Sequence, residues 1–579
     1  MEPRTSAEHP PASARQPGTF AEYVEARSRD GRTGLMSGEE RFTWAQMVAA
    51  ARVRARLTDA ICGTRPAGRS AGEPGRAWHI GILLDNTPEY VFWILAATLS
   101  GNVVVGINPT RRGSELAADI RHTDCDMIVT DAEHVGLIDG LDTGISRERI
   151  LITGQPAYAD LLAAAESPAG EVQGPGPTQT LLLLFTSGST GAPKAVICSQ
   201  GRLTRIARVS APLFDITAES VTYAAMPLFH GNSIMANLAP AVATGAAIAL
   251  RPKFSASGFL PDIRRYGVTY VNYVGRALAY VLATPERPED ADNPLRLAFG
   301  TEASARDMAE FGRRFGCRVL ENYGSSEGAI SIQKAPGTPP SALGLPPEGM
   351  DVAICDPGTG RECPRARLSP QGRLLNPGEA IGEIVGRNVA SAFEGYYKNQ
   401  AADEARVRGG WYWSGDLGYR DEAGFFYFAG RDADWLRVDS ENFAAAPVER
   451  IIARFPDVVM CAVYPVPDPR TGDQVMASVE LSPSAAFRPE QFEAFLADQP
   501  DLGTKWAPRF VRVVTAMPLT ATSKVDKAAL RREIWLTSDP VWWRPDRALC
   551  YKPLTCEDKA RIRSDFGAAG RGHLLPGDV

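Results

Sequence analysis

Several common chemistries are absent from this chain. Its nine cysteines contain no CxxC pair and its six histidines no HExxH spacing, so neither a cysteine-rich zinc site nor a zinc hydrolase centre is written into it. The two cysteines nearest in sequence are Cys550 and Cys556, followed by Cys355 and Cys363. Such scatter excludes a disulfide framework and suits a reducing, cytoplasmic setting. A net charge of −6 supplies no basic field for nucleic acid. Residues 1–19 are rich in Pro, Ser, Ala and charge but lack the apolar core of a signal peptide, and are expected to be a disordered tail. Long apolar runs are also missing. The uncharged stretch Ser233–Leu250 is interrupted by Asn237, Pro240 and Gly245, so a buried helix and turn is expected rather than an integral membrane segment. No internal repeat is visible.

What remains is a large globular chain. At 579 residues it exceeds one hydrophobic core, and 44% apolar with 22% charged residues is ordinary for a soluble protein. Short apolar or β-branched runs alternate with helical patterns. Strands are expected over His79–Leu84, Val103–Ile107, Met127–Thr130, Ala246–Leu250 and Val268–Tyr273, with helices over Pro88–Ser100 and Phe259–Tyr266. This alternation predicts an α/β fold of parallel sheets covered by helices. Gly/Pro-rich stretches at 63–77 and 334–349 read as loops. The texture changes after Gly430, where a smaller unit begins with strands over Val458–Val463 and Val475–Leu481 and a helix over Pro489–Asp498. The expected division is a tail (1–19), a large N-terminal lobe of β/α-layered sheets (20–430) and a small, mobile α+β C-terminal lobe with an extension (431–579), joined by a hinge near Gly430–Asp434.

The most informative segment is Thr186-Ser-Gly-Ser-Thr-Gly-Ala-Pro-Lys194, directly behind the apolar run Leu181–Phe185. A buried strand thus feeds a loop of hydroxyls and glycines ending in a lysine. Glycine permits the backbone to turn successive amides inward around a polyphosphate, and Lys194 adds a point charge. The spacing is not that of the common P-loop, which places four residues between its first glycine and a Gly-Lys-Ser/Thr.

Five further clusters can be set beside this loop. In Glu321-Asn-Tyr-Gly-Ser-Ser-Glu-Gly328, Tyr323 with Gly324 offers a flat ring beside an open backbone for a purine, and Glu327 an oxygen ligand for magnesium; a plain turn after a strand looks the same. In Trp411-Tyr-Trp-Ser-Gly-Asp-Leu-Gly418, Asp416 sits in a tight turn and suits a ribose diol, or merely holds a hairpin. Arg431, in the charged run 430–442, reads as a phosphate or ribose contact or as part of a solvated linker. Lys524, in Pro518-Leu-Thr-Ala-Thr-Ser-Lys-Val-Asp-Lys527, alone reads as a surface lysine before a short helix. His230, in Met226-Pro-Leu-Phe-His-Gly231, alone reads as a satisfied core histidine.

Together, in this order and spacing, the six clusters resemble the adenylate-forming superfamily of acyl-CoA synthetases, luciferases and peptide-synthetase adenylation domains. The resemblance runs from about Phe20 to Arg531. Asn272-Tyr-Val-Gly-Arg276, Ala298-Phe-Gly-Thr-Glu-Ala303 and Trp542-Trp-Arg-Pro545 are most similar to the long- and very-long-chain fatty acyl-CoA synthetase and fatty-acid-transport branch. The resemblance implies a ligase that joins a small-molecule acid to AMP, releases pyrophosphate and passes the acyl group to coenzyme A, with ATP and Mg²⁺ required. It implies that Thr186, Ser187, Gly188, Ser189, Thr190, Gly191 and Lys194 cradle the β- and γ-phosphates, and that Tyr323 and the turn Gly300-Thr301-Glu302 bracket adenine. It further implies that Ser326 touches the α-phosphate, Glu327 holds Mg²⁺, and Asp416 and Arg431 bind ribose. His230 stands at the acid pocket, and Lys524 bridges carboxylate and α-phosphate.

The chain departs from the family pattern at Ala433, where Asp or Lys is usual, and at Ser440 and Ser523, where glycine is usual. These departures put thioester formation more in question than adenylation. They keep open an alternative with a non-CoA acceptor: an amide ligase, or a nitrite-activating diazotase acting on an aromatic amine in natural-product biosynthesis.

Overall fold

The computed structural model describes residues 16–576 except 64–75, 167–173, 187–193, 275, 302, 336, 371, 373, 432–434, 439–440, 471, 484, 504, 521–523 and 547. Three sheets build the larger part of the molecule. A six-stranded sheet runs in the order Ile150–Ile152, Met127–Thr130, His79–Leu83, Val103–Gly106, Thr180–Thr186, Lys194–Ser199, parallel except for the last pair. An eight-stranded sheet has four consecutive parallel strands at its centre, Leu297–Thr301, Tyr270–Val274, Val221–Ala224 and Ala247–Leu250. A third, antiparallel sheet contains Gly382–Gly386, Trp411–Arg420 and Phe426–Arg431.

Helices lie between the first two sheets. Pro88–Ser100 is apolar on nearly every face because it has no outside: Phe92, Trp93, Ile94 and Leu95 are all buried, within one core cluster that also holds Ile80 and Ile82 of one sheet and Leu35 and Ile248 of the other. Its limits follow from local chemistry. The Thr87 hydroxyl caps the Tyr90 N–H, Pro88 occupies the first turn, and Gly101 closes it at φ 67°. Fully burying each such large side chain contributes about 1.5–3 kcal/mol. The uncharged stretch from Ser233 folds into short buried helical turns and the strand Ala247–Leu250. Among the described residues, no helix is long and apolar enough to cross a membrane.

The smaller part begins with the hairpin Trp435–Val438/Glu441–Ala444. It continues into a five-stranded sheet led by Val458–Pro467 and Asp473–Leu481, with its own core around Leu436, Phe443, Ile451 and Val479. The two parts touch: Tyr280 of the larger packs on the cluster of Met460 and Trp535, and Ala444 joins a cluster with Ala342, Tyr419 and Tyr427.

Candidate active site

The strand Thr180–Thr186 is apolar and buried through Leu184, then pairs antiparallel with Lys194–Ser199, bringing Thr186 opposite Lys194. The loop residues Ser187, Gly188, Ser189, Thr190 and Gly191 lie outside the described residues, as do Glu302, Ala433, Ser440 and Ser523. The segment 394–397 adds a further edge to this hairpin. The Ile197 N–H donates to Gly395 O (3.0 Å) and the Tyr397 N–H to Ala195 O (2.8 Å), while the Ser199 N–H and hydroxyl both donate to Glu394 (2.7 and 2.6 Å).

That edge places Tyr396, with Lys194 Nζ 5.9 Å from its ring centre. The Tyr396 hydroxyl donates to Glu327 Oε1 (2.6 Å) and accepts from Arg406 Nε (3.1 Å). Glu327 is buried, which alone raises a carboxyl pKa. The Tyr396 hydrogen bond and the Arg406 charge outweigh that and hold it below the ordinary range. Lys194 is shifted down, by burial first and by Arg406 next, with Glu327 opposing. One carboxylate thus sits among a hydroxyl, a guanidinium and an ammonium where the phosphate loop closes.

A second buried carboxylate is met by Tyr323, four residues before Glu327. The Tyr323 hydroxyl donates to Asp416 Oδ2 (2.8 Å). Asp416 is not in a tight turn. It stands within the strand Trp411–Arg420, just past Gly415 at φ 74°, where the Ser414 hydroxyl accepts its N–H (3.1 Å). Its partner across the ladder is Arg431, so two residues 15 positions apart are direct neighbours. Gly300 and Thr301 likewise belong to a strand, Leu297–Thr301, rather than a turn. Gly300 pairs with Glu321, two residues before Tyr323. A Cβ at Gly300 would stand 2.4 Å from the Tyr273 ring, so only glycine fits. Ser326 is fixed through its backbone, its carbonyl accepting from the buried Arg202, whose other arm donates to Ile197 O (2.8 Å).

The third grouping spans the two parts of the molecule. His230 directly precedes the helical turn Gly231–Ser233, and a Cβ on Gly231 would lie 3.2 Å from Leu184, two residues before Thr186. Burial, and then the charge of Lys524 from the smaller part, depress His230 to about 4. Lys524 is shaped locally by a tight loop: Thr520 N–H donates to Lys524 O (2.7 Å) and Lys524 N–H to the Thr520 hydroxyl (3.2 Å). Beside the turn lies an apolar cavity of about 10 Å³, bounded by Met226, Phe259, Val271, Asn272 and Tyr273.

Tyr396, Arg406 and Arg202 escaped the sequence reading. Tyr396 lies 69 positions from Glu327, and Arg202 lies 124 positions from Ser326. The clue available was Glu394-Gly-Tyr-Tyr397, an acid and two aromatics around a glycine, which carries no spacing signal by itself.

A strand ending at Thr186 opposite Lys194, two buried carboxylates that accept tyrosine hydroxyls and a lysine of the smaller part whose charge is felt at His230 suit a nucleotide-dependent ligase of the adenylate-forming type. Comparison agrees. Residues 24–397 match the model of the AMP-binding enzyme family and residues 447–524 that of its C-terminal domain, and the chain belongs to this family. It is 50% identical to a steroid-22-oyl-CoA synthetase of Rhodococcus jostii, over 96% of this chain and 99% of that protein. It is 44% identical to a medium/long-chain-fatty-acid–CoA ligase of Mycobacterium tuberculosis, over 81% and 89%. Its fold is that of an anthranilate CoA ligase in complex with anthranoyl-AMP, at TM-score 0.76 and 22% identity, over 90% of this chain and 97% of that one. The chain is an AMP-forming acid–thiol ligase on the fatty acyl-CoA ligase side of the family, with a carboxylic acid, ATP and coenzyme A as its substrates.

Proposed function

We propose that the acid is a large apolar carboxylic acid of the steroid side-chain class. The observation that carries this is the 50% identity, held over nearly the whole of both chains, to a steroid-22-oyl-CoA synthetase.

The residue roles are those that the family resemblance implies, and the geometry around Lys194, Tyr323, Glu327 and Asp416 supports them. Lys194 and the loop 186–191 hold the β- and γ-phosphates; Tyr323 with Gly324, Gly300, Thr301 and Glu302 flanks adenine; Ser326 meets the α-phosphate; Asp416 and Arg431 take the ribose. Glu327 is the fit for Mg²⁺: an oxygen donor kept ionised by its neighbours, beside the phosphate loop. The ion, when bound, neutralises charge on the triphosphate. Lys524, whose charge is felt at His230, takes the acid's carboxylate together with that histidine.

In the first half-reaction one carboxylate oxygen bonds to the α-phosphorus, the bond to the bridging oxygen breaks, and pyrophosphate leaves. Lys194 and Lys524 lower the repulsion between the two anions and stabilise charge on the equatorial oxygens. The substrate is its own nucleophile, so no activated serine or cysteine is needed. In the second, the coenzyme A thiolate attacks the acyl carbon and AMP departs. The hinge between the two half-reactions is the expected boundary near Gly430–Asp434, at the end of the strand Phe426–Arg431.

Pyrophosphate release with a steroid-22-oic acid, dodecanoate and benzoate, followed by mass spectrometry of the thioesters, tests the substrate. A kcat/KM for the steroid acid about tenfold or more above the others is expected. Preference for either of the other acids sinks the reading.

A further inference from the structure

The helix beside His230 changes pitch along its length. Gly231–Ser233 is α-helical, Ile234–Leu238 is a π-helix, and Ala239–Thr244 is α-helical again. A π turn takes an extra residue, so side chains five positions apart come onto one face. Asn232 and Asn237 are five apart, and both bond to Asn272 on the strand Tyr270–Val274. Asn237 Nδ2 donates to Asn272 Oδ1 (2.9 Å), and Asn272 Nδ2 donates to Asn232 Oδ1 (2.6 Å).

The direction of this relay is anchored at its far end. Asn237 Nδ2 also donates to the Tyr223 carbonyl (2.9 Å), which can only accept, while its Oδ1 accepts from the Thr222 hydroxyl (2.8 Å). Each amide therefore orients the next. Thr222, Asn237 and Asn272 are buried, where a reversed amide would leave polar groups unpaired and unsolvated. The result is that Asn232 has its oxygen occupied and its N–H₂ left to donate, with no partner among the described residues.

Asn232 is half-buried, as are His230 and Met235, whereas Gly231, Ser233 and Ile234 between them are buried. The half-exposed residues thus share one side of this turn with His230, at which the charge of Lys524 is felt. A rigid donor two residues from His230 lies at the carboxylate end of the acid, not along its tail.

We propose that Asn232 binds the acid's carboxylate, donating to the oxygen that does not attack phosphorus. Asn272, Asn237 and Thr222 are positioning residues that hold it as a donor. This rests on the reading that the acid enters beside His230. As the first oxygen bonds to phosphorus and pyrophosphate leaves, the second becomes the acyl carbonyl oxygen and keeps its hydrogen bond. The donor is neutral, so it orients the anion without adding a third cation to a site that already has two lysines.

The test is steady-state pyrophosphate release by the full-length enzyme, with dodecanoate and a steroid-22-oic acid as probes. Asn232→Asp keeps the shape and replaces the donor with an anion. It is expected to lower kcat/KM for both acids by about tenfold or more while leaving KM for ATP within about twofold. The deficit should shrink as pH is lowered towards about 5.5, where a protonated Asp regains a donor, a recovery that a merely structural role would not produce. Asn272→Asp, which cannot donate to Asn232, should show a smaller loss for the acids alone. Asn232→Ala provides a second variant that removes the donor without adding charge, and should show a pH-independent loss. Acid kcat/KM within about twofold of wild type for both Asn232 variants overturns the assignment, as does a loss shared equally between acid and ATP. Preference for dodecanoate over the steroid acid would sink the substrate reading and leave this test intact, because both probes carry the carboxylate.

Discussion

Glu327 and Asp416 are the same device in two settings. Each is a buried carboxylate accepting a tyrosine hydroxyl, Glu327 from Tyr396 at 2.6 Å and Asp416 from Tyr323 at 2.8 Å. What differs is the company. Around Glu327 stand Arg406 and Lys194, so its negative charge is already matched by fixed cations. Asp416 sits in an antiparallel ladder beside the Ser414 hydroxyl and across from the Arg431 backbone. A carboxylate kept ionised beside fixed cations suits a metal ion, whose positive charge it helps to balance. Asp416, whose carboxylate accepts the Tyr323 hydroxyl, suits ribose, which brings hydrogen bonds and no charge.

Replacing each acid by its amide should break the symmetry most sharply. Glu327→Gln is expected to lower the rate of pyrophosphate release by about 10²–10³ and to raise the magnesium concentration needed for half-maximal rate. Asp416→Asn should instead raise KM for ATP by about tenfold, with a smaller effect on kcat. Equal effects on both parameters would erase the distinction. The tyrosines sharpen it at smaller scale. Tyr396→Phe removes one hydrogen bond from Glu327 and should cost about five- to tenfold in rate, whereas Tyr323→Phe should show its loss in ATP affinity, read by titration calorimetry.

The smallest expected effect concerns stability. His230 is held at about 4 against an ordinary 6.5, so between these values the unfolded chain binds a proton that the folded one refuses. The stability this histidine permits is complete above about pH 6.5 and is lost progressively as pH falls towards 4. Urea midpoints of wild type and His230→Gln should therefore diverge on acidification, wild type falling faster. Parallel curves would remove the depressed histidine as the cause.

Much of the architecture was legible because local chemistry and tertiary packing agree. The helix Pro88–Ser100 carries its cap, its proline and its closing glycine within 15 residues. The strand expected over Val268–Tyr273 instead covers Tyr270–Val274, since apolar content does not reveal where pairing with Leu297–Thr301 begins. The candidate site could be singled out where a cluster is continuous in sequence, as with residues 321–328, whose Tyr323 and Glu327 bond to Asp416 and Tyr396. It was not legible where function is assembled across the chain. Nothing near Tyr396 announces a partnership with Glu327, and nothing near Asn237 shows that a π turn aligns it with Asn232. Such pairings depend on register and helix pitch, which sequence pattern does not encode locally.

The tight fit of Gly300 against Tyr273 has a consequence for how this enzyme can diversify. The ring that Gly300 touches is also part of the wall of the small apolar cavity. A single aromatic thickness thus separates the Gly300 strand from that cavity, and even one methyl group added at position 300 would push the ring, so the strand and the cavity wall can change only together.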